Sequence, residues 1–267
     1  MQATTTVNSD GTLDVNGGSV NALVVEGGTA TVDGVTIATT AAVNEGTVTI
    51  GATGGVTGAT TVGDGDTDLA VLNNAGTLAA VTVDTDGTLN STGTVADVTN
   101  TGTLNVDGGT AGDITNTGIA AVDAGATAGD VTNSGTLTND GTINGEVINA
   151  GTLTSSNTIT GDVTNSGTAT LSGTVGGNVA NTGSLDIATS LTVGAGLSNS
   201  AGGTFDVAAG ETLTTGTGVT NAADAGAVNI EGTVSGGFTN AASNVVSNAG
   251  TFNGCLLYTS PSPRDRG

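Results

Sequence analysis

The phrase Val-Thr-Asn-x-Gly-Thr-Leu recurs at Val98, Ile114, Val131, Val147, Val163 and Val179. Looser copies begin at Leu197, Val219 and Phe238. A fixed period of about 16 residues means one small structural unit stacked on itself, so each unit buries its apolar side only against its neighbours. Within one repeat, Val131, Leu137 and Ile143 are separated by Asn, Asp, Gly and Ser, and the next repeat opens at Val147. The intervening residues favour turns and tolerate positive φ. Three short β-prone pieces, each with one inward apolar residue, predict a three-sided coil. Helix is a poor fit, because Gly and Thr weaken it throughout and no 3.6-residue period is visible. The expected fold is all-β: a parallel β-helix (β-solenoid) of about 16 residues per coil. Dividing residues 1–254 by that period gives about 16 coils, a rod on the order of 75 Å at the spacing of paired strands.

Composition agrees with a thin core. Cys255–Asp265 reads C-L-L-Y-T-S-P-S-P-R-D, which resembles a translated adapter of a transposase-based sequencing library, so residues 255–267 are set apart as a non-native tail. Both Arg, both Pro, the one Cys and the one Tyr lie in that tail. Residues 1–254 are read as a single solenoid domain, most regular over 98–196. They contain no Lys, Arg, His, Cys, Trp, Tyr or Pro, and Phe205, Phe238 and Phe252 are their only aromatics. Removing Asp265 from the 24 acids leaves 23 negative charges in the body. Nothing there can neutralise phosphate, so neither nucleic acid nor an anionic membrane surface is an expected partner. No segment is long and apolar enough to span a membrane. Disorder, the competing outcome for so polar a chain, is opposed by the regular Val, Ile and Leu spacing and by a mean hydropathy of +0.16.

Stacked coils turn sequence columns into ladders. Asn100, Asn116, Asn133, Asn149, Asn165, Asn181, Asn199, Asn221 and Asn240 share one column, with Asn74 as a candidate extension. Stacked amides bond coil to coil, so the column reads as a structural ladder at a corner, with a ligand-binding row as the sharper alternative. Asp97, Asp113, Asp130, Glu146 and Asp162 form an acidic column that ends at Asn178. It reads as a solvated edge; calcium bridging is the alternative, because hard cations take carboxylate oxygen, and these five are the candidate metal ligands. The helix-flanked calcium loop is missing. Looser pieces occur at Val7–Leu13, Val43–Val48 and Leu72–Leu78, and the Gly- and Asp-rich stretch Gly51–Asp68 reads as a loop or an out-of-register coil. After Val179 the openings at Leu197, Val219 and Phe238 lie further apart, so the coils lengthen, which predicts longer turns on one edge. Asn90-Ser91-Thr92 matches an N-glycosylation acceptor by chance.

Without His, Cys, Lys or Tyr, the usual nucleophilic, Schiff-base and zinc chemistries have no residues to use. Paired carboxylates alone remain, and a non-enzymatic protein without a cofactor, calcium aside, is expected.

Gly161-Asp-Val-Thr-Asn-Ser-Gly-Thr and Gly177-Asn-Val-Ala-Asn-Thr-Gly-Ser resemble the repetitive passengers of bacterial autotransporters and related large adhesins. The resemblance covers most of residues 1–254. It implies a right-handed β-helix displayed outside the cell as a structural or adhesive stalk. A translocator or anchor domain would lie outside this segment, and a host surface, neighbouring cell or matrix would be the partner. Two alternatives stand beside it. One is a calcium-stabilised surface-layer or toxin-like repeat protein. The other is an ice-binding solenoid, suggested by stacked Thr103, Thr136, Thr152 and Thr168 but broken by Ile119 and Ser184.

Overall fold

A computed structural model describes residues 4–241 and 244–259. It is an all-β parallel solenoid of about 14 turns and about 18 residues per turn. The turns are therefore fewer and longer than the repeat phrase predicts. The short period holds only in the centre. Towards the N-terminus Leu23, Ala41, Thr60 and Val81 stack in register, and each of these steps is longer than the step from Val98 to Ile114. The chain divides into two compact units, Met1–Asn144 and Gly145–Gly267.

Each unit is built from three columns of parallel strands. In the first unit, one turn comprises Val98–Asn100 on a first face, Thr103–Val106 on a second and Thr110–Ala111 on a third. Each strand pairs in register with its counterpart a turn later, as in Val98↔Ile114, Leu104↔Ala120 and Thr110↔Thr127. The second unit repeats this with Val163–Asn165, Thr168–Leu171 and Gly173–Val175.

Alternation along each strand selects the interior. Val98, Leu104, Val106 and Ala111 are buried, as are Val163, Ala169, Leu171 and Val175. Each buried Val or Leu stabilises by about 1.5–3 kcal/mol, which these small side chains supply turn after turn in place of a thick aromatic core. The expected inward triplet Val131, Leu137 and Ile143 is buried. Two further inward positions exist, because the first and second strands each aim two side chains inside. On the first strand the second of these is the asparagine of the repeat.

The repeat glycine is required for a reason other than backbone freedom. Gly118, Gly135, Gly167 and Gly183 are absent from the positions with positive φ. A Cβ on Gly118 or Gly135 would overlap the carbonyl oxygen of Gly102 or Gly118, the same position one turn earlier, and a Cβ on Gly183 would overlap that of Gly167. Close stacking at the first corner thus admits no side chain.

In the second unit the predicted longer steps pair Val179 with Leu197, Leu197 with Val219 and Val219 with Phe238. The added residues enter at two corners rather than one edge. One insertion lies between the strands Gly196–Asn199 and Thr204–Val207, the other between Thr204–Val207 and Thr212–Thr215. Here Phe205, Phe238 and Phe252 meet from three faces, with ring centroids 6.4 and 5.0 Å apart. Leu256–Thr259, the start of the adapter-like tail, pairs with Phe238–Ala241, and residues 260–267 lie outside the described residues.

Candidate functional site

Eight of the nine ladder asparagines end a first-face strand, Asn240 stands one residue before the end of its strand, and all nine face the interior with at most 1% of their surface exposed. A primary amide so placed must find partners or lose about 1–3 kcal/mol. Here the partners come from the repeat itself. Asn100 Nδ2 lies 2.7 Å from Asn116 Oδ1, 3.2 Å from the Gly102 carbonyl of its own corner and 2.8 Å from the Ile119 carbonyl of the next turn. Asn116 donates likewise to Asn133 Oδ1, Gly118 O and Thr136 O at 2.7, 3.1 and 2.9 Å. In the second unit the chain of amide bonds runs Asn149, Asn165, Asn181, Asn199, Asn221, Asn240 at 2.7–3.0 Å. It closes on the Asn244 carbonyl at 3.0 Å.

Asn74 does not extend this ladder. It ends a second-face strand, stacked in register between Ile50 and Ser91. Its Nδ2 donates to Ser91 Oγ at 3.0 Å and to the Thr94 carbonyl at 3.3 Å, the same role one corner later. The phrase L-N-N-A-G-T-L is therefore a copy of the turn, placed at the second corner.

The predicted acidic column lies exposed at the third corner. In the first unit the Asp113 N–H donates to Asp97 Oδ1 at 3.1 Å and the Asp130 N–H to Asp113 Oδ1 at 2.9 Å. In the second, the Asn178 N–H donates to Asp162 Oδ1 at 2.6 Å, while Glu146 is exposed on the same corner. Asp97, Asp113 and Asp162 thus each accept a backbone N–H from the following turn.

The acidic groupings able to hold a cation, among the described residues, involve none of those five. They are Glu45, Asp66, Asp68 and Asp64, Asp66, Asp86, whose oxygens in each triplet lie within 4.8 Å of one another. All five side chains belong to the first corner in three successive turns. There the connection between Thr60–Val62 and Ala70–Asn74 widens into a loop. Gly63 and Gly65 turn it with φ of 89° and 86°. Asp86, 9% exposed, anchors the loop by accepting from the N–H groups of Gly65 (2.8 Å) and Asp64 (3.2 Å). Asp68 N–H donates to Asp66 Oδ1 at 2.7 Å. Desolvation, then the charges of Asp68 and Asp66, raise the Glu45 carboxyl above its ordinary range. All-oxygen donors from several chain segments suit a hard cation. The sequence signal for this group is the alternation of Asp64, Asp66 and Asp68 within a stretch read as loop.

Further acids stack at the second corner. A hydrogen bond with Asp107, then desolvation, raise the Asp123 carboxyl. Nearby, a groove of about 380 Å³ is lined in part by Thr49, Asn73, Asn90 and Asp107. Asn90 donates to Asn73 Oδ1 at 2.9 Å and accepts from Asn105 at 2.8 Å, so the amide of the glycosylation-like triplet is engaged in an outward ladder. Of the stacked threonines, Thr103, Ile119 and Thr136 share one outward column in the first unit, and Thr152, Thr168 and Ser184 share one in the second.

No helix is long and apolar enough to cross a membrane among the described residues. No family profile, curated protein or solved structure matches this chain.

Proposed function

We propose that the chain is a non-enzymatic structural scaffold, a passenger-like stalk of a bacterial surface protein that presents its faces to a host surface, a neighbouring cell or a matrix. The observation that carries this reading is where the polar side chains are spent. The ladder asparagines are consumed inside the coil, and Asp97, Asp113 and Asp162 hold the backbone of the next turn. Side chains used this way build length and stiffness instead of a reaction centre. Protease added to intact source cells is expected to cleave the chain from outside. Full protection until the cells are lysed would remove the surface role.

A second reading, a calcium-stabilised repeat protein, is favoured by the widened first corner with Asp64, Asp66, Asp68, Asp86 and Glu45. It predicts a higher melting temperature in calcium than in chelator. Identical melting in both would dismiss it.

A further inference from the structure

The amide ladder of the first unit begins abruptly. Its column continues towards the N-terminus as Val83, Val62, Val43 and Val25, all fully buried. Each later amide receives, on Oδ1, the Nδ2 of the turn before it. Asn100 has valine in that place, and its Oδ1 is buried without a partner.

An unmatched buried carbonyl is unfavourable, and water reaching it relieves the deficit. Separation between the turns of Val83 and Asn100 admits that water. Separation one turn later breaks two buried bonds instead, from Asn100 Nδ2 to Asn116 Oδ1 and to the Ile119 carbonyl. The backbone bonds across the two planes are equivalent: Val81 N–H to Asp97 O (3.0 Å) and Thr101 N–H to Val83 O (2.8 Å) across the first, Val98 N–H to Asp113 O and Thr117 N–H to Asn100 O (both 2.8 Å) across the second. The Asn105–Asn90 amide bond also spans the first plane, but it faces outward and exchanges readily for water.

We propose that the first unit contains a built-in parting plane between the turn of Val83 and the turn of Asn100, at which the preceding residues open as one cooperative group. Opening there exposes strand edges and the Asn100 carbonyl while the amide ladder beyond stays closed.

Native-state hydrogen exchange on the full chain tests this. The Val81 and Thr101 amides are expected to be about tenfold or more less protected than Val98 and Thr117. Val83→Thr puts a hydroxyl donor one turn before Asn100 Oδ1, at the position from which Asn100 Nδ2 donates to Asn116 Oδ1 one turn later. It is expected to raise Thr101 protection by about tenfold. Val62→Thr, stacked between Val43 and Val83, gains no partner and is expected to lower it. Equal protection across the two planes in the unaltered protein overturns the proposal. So does a Val83→Thr protein as destabilised as Val62→Thr. If Val83→Thr does not fold, the exchange pattern of the unaltered chain decides alone.

Discussion

At the scale of the residue, the internal asparagine carries the most consequence. An amide inside a solenoid is tolerable only because an identical amide lies one turn away, so its cost depends on its neighbours. Asn116→Val takes the Asn116 donor from Asn133 Oδ1 while the Asn100 carbonyl remains unmatched, adding to the buried hydrogen-bond deficit. Asn100→Val removes one orphan and creates another on Asn116, leaving the number unchanged. Asn116→Val is therefore expected to cost about 1–3 kcal/mol more than Asn100→Val in chemical denaturation. Equal losses would refute the neighbour dependence. The asparagine column could be read in the sequence, but its burial could not be read from polarity. In Val-Thr-Asn the alternation already puts Asn on the same side as Val, and only the partner in the adjoining turn makes that side acceptable.

At the scale of the strand and corner, local phrases are legible and their place in the coil is not. Leu72–Leu78 has the turn chemistry of the repeat yet sits at the second corner, because any corner is served by an amide, a close-stacking glycine and a β-branched start. The period fails where a corner widens, as between Val62 and Ala70, and that is where the acidic grouping assembles. Its members Glu45, Asp66 and Asp86 lie about one turn apart, so only the register of the stack brings them together. If calcium binds at this corner, Asp66→Asn, which belongs to both triplets, is expected to abolish the calcium-dependent rise in melting temperature. Asp113→Asn, in the predicted third-corner column, is expected to leave that rise intact. Loss in both variants, or in neither, would place the ion elsewhere.

At the scale of the whole molecule, charge governs the response to solution conditions. The formal net charge is −22, and no basic side chain lies within residues 1–254 to offset the acids at all three corners. Glu45 and Asp123 are held above their ordinary values of 4.5 and 3.8, whereas Asp33 is held below 3.8 by the side-chain hydroxyl and N–H of Thr53 and the N–H of Gly34. Between the ordinary and raised values the folded chain binds more protons than the unfolded one, so Glu45 and Asp123 add stability as pH falls through that window. The Asp33 contribution is complete above 3.8 and is lost only as pH falls further. The urea midpoint is expected to rise from neutral pH towards about 4.5, and Glu45→Gln should raise it at neutral pH and flatten that slope. A midpoint that falls steadily over the same range would contradict this.

The amide ladder has a final consequence for each unit as a whole. Every side-chain bond in it donates towards the C-terminus, so the carboxamide dipoles point the same way and polarise one another like the peptide groups of a helix. The stack of the first unit starts on an acceptor, Asn100 Oδ1, and that of the second ends by donating to the Asn244 carbonyl. A turn can join it in a single orientation, since an inverted one would set N–H against N–H. The interior thus carries an arrow that the outward rows of threonine do not reveal.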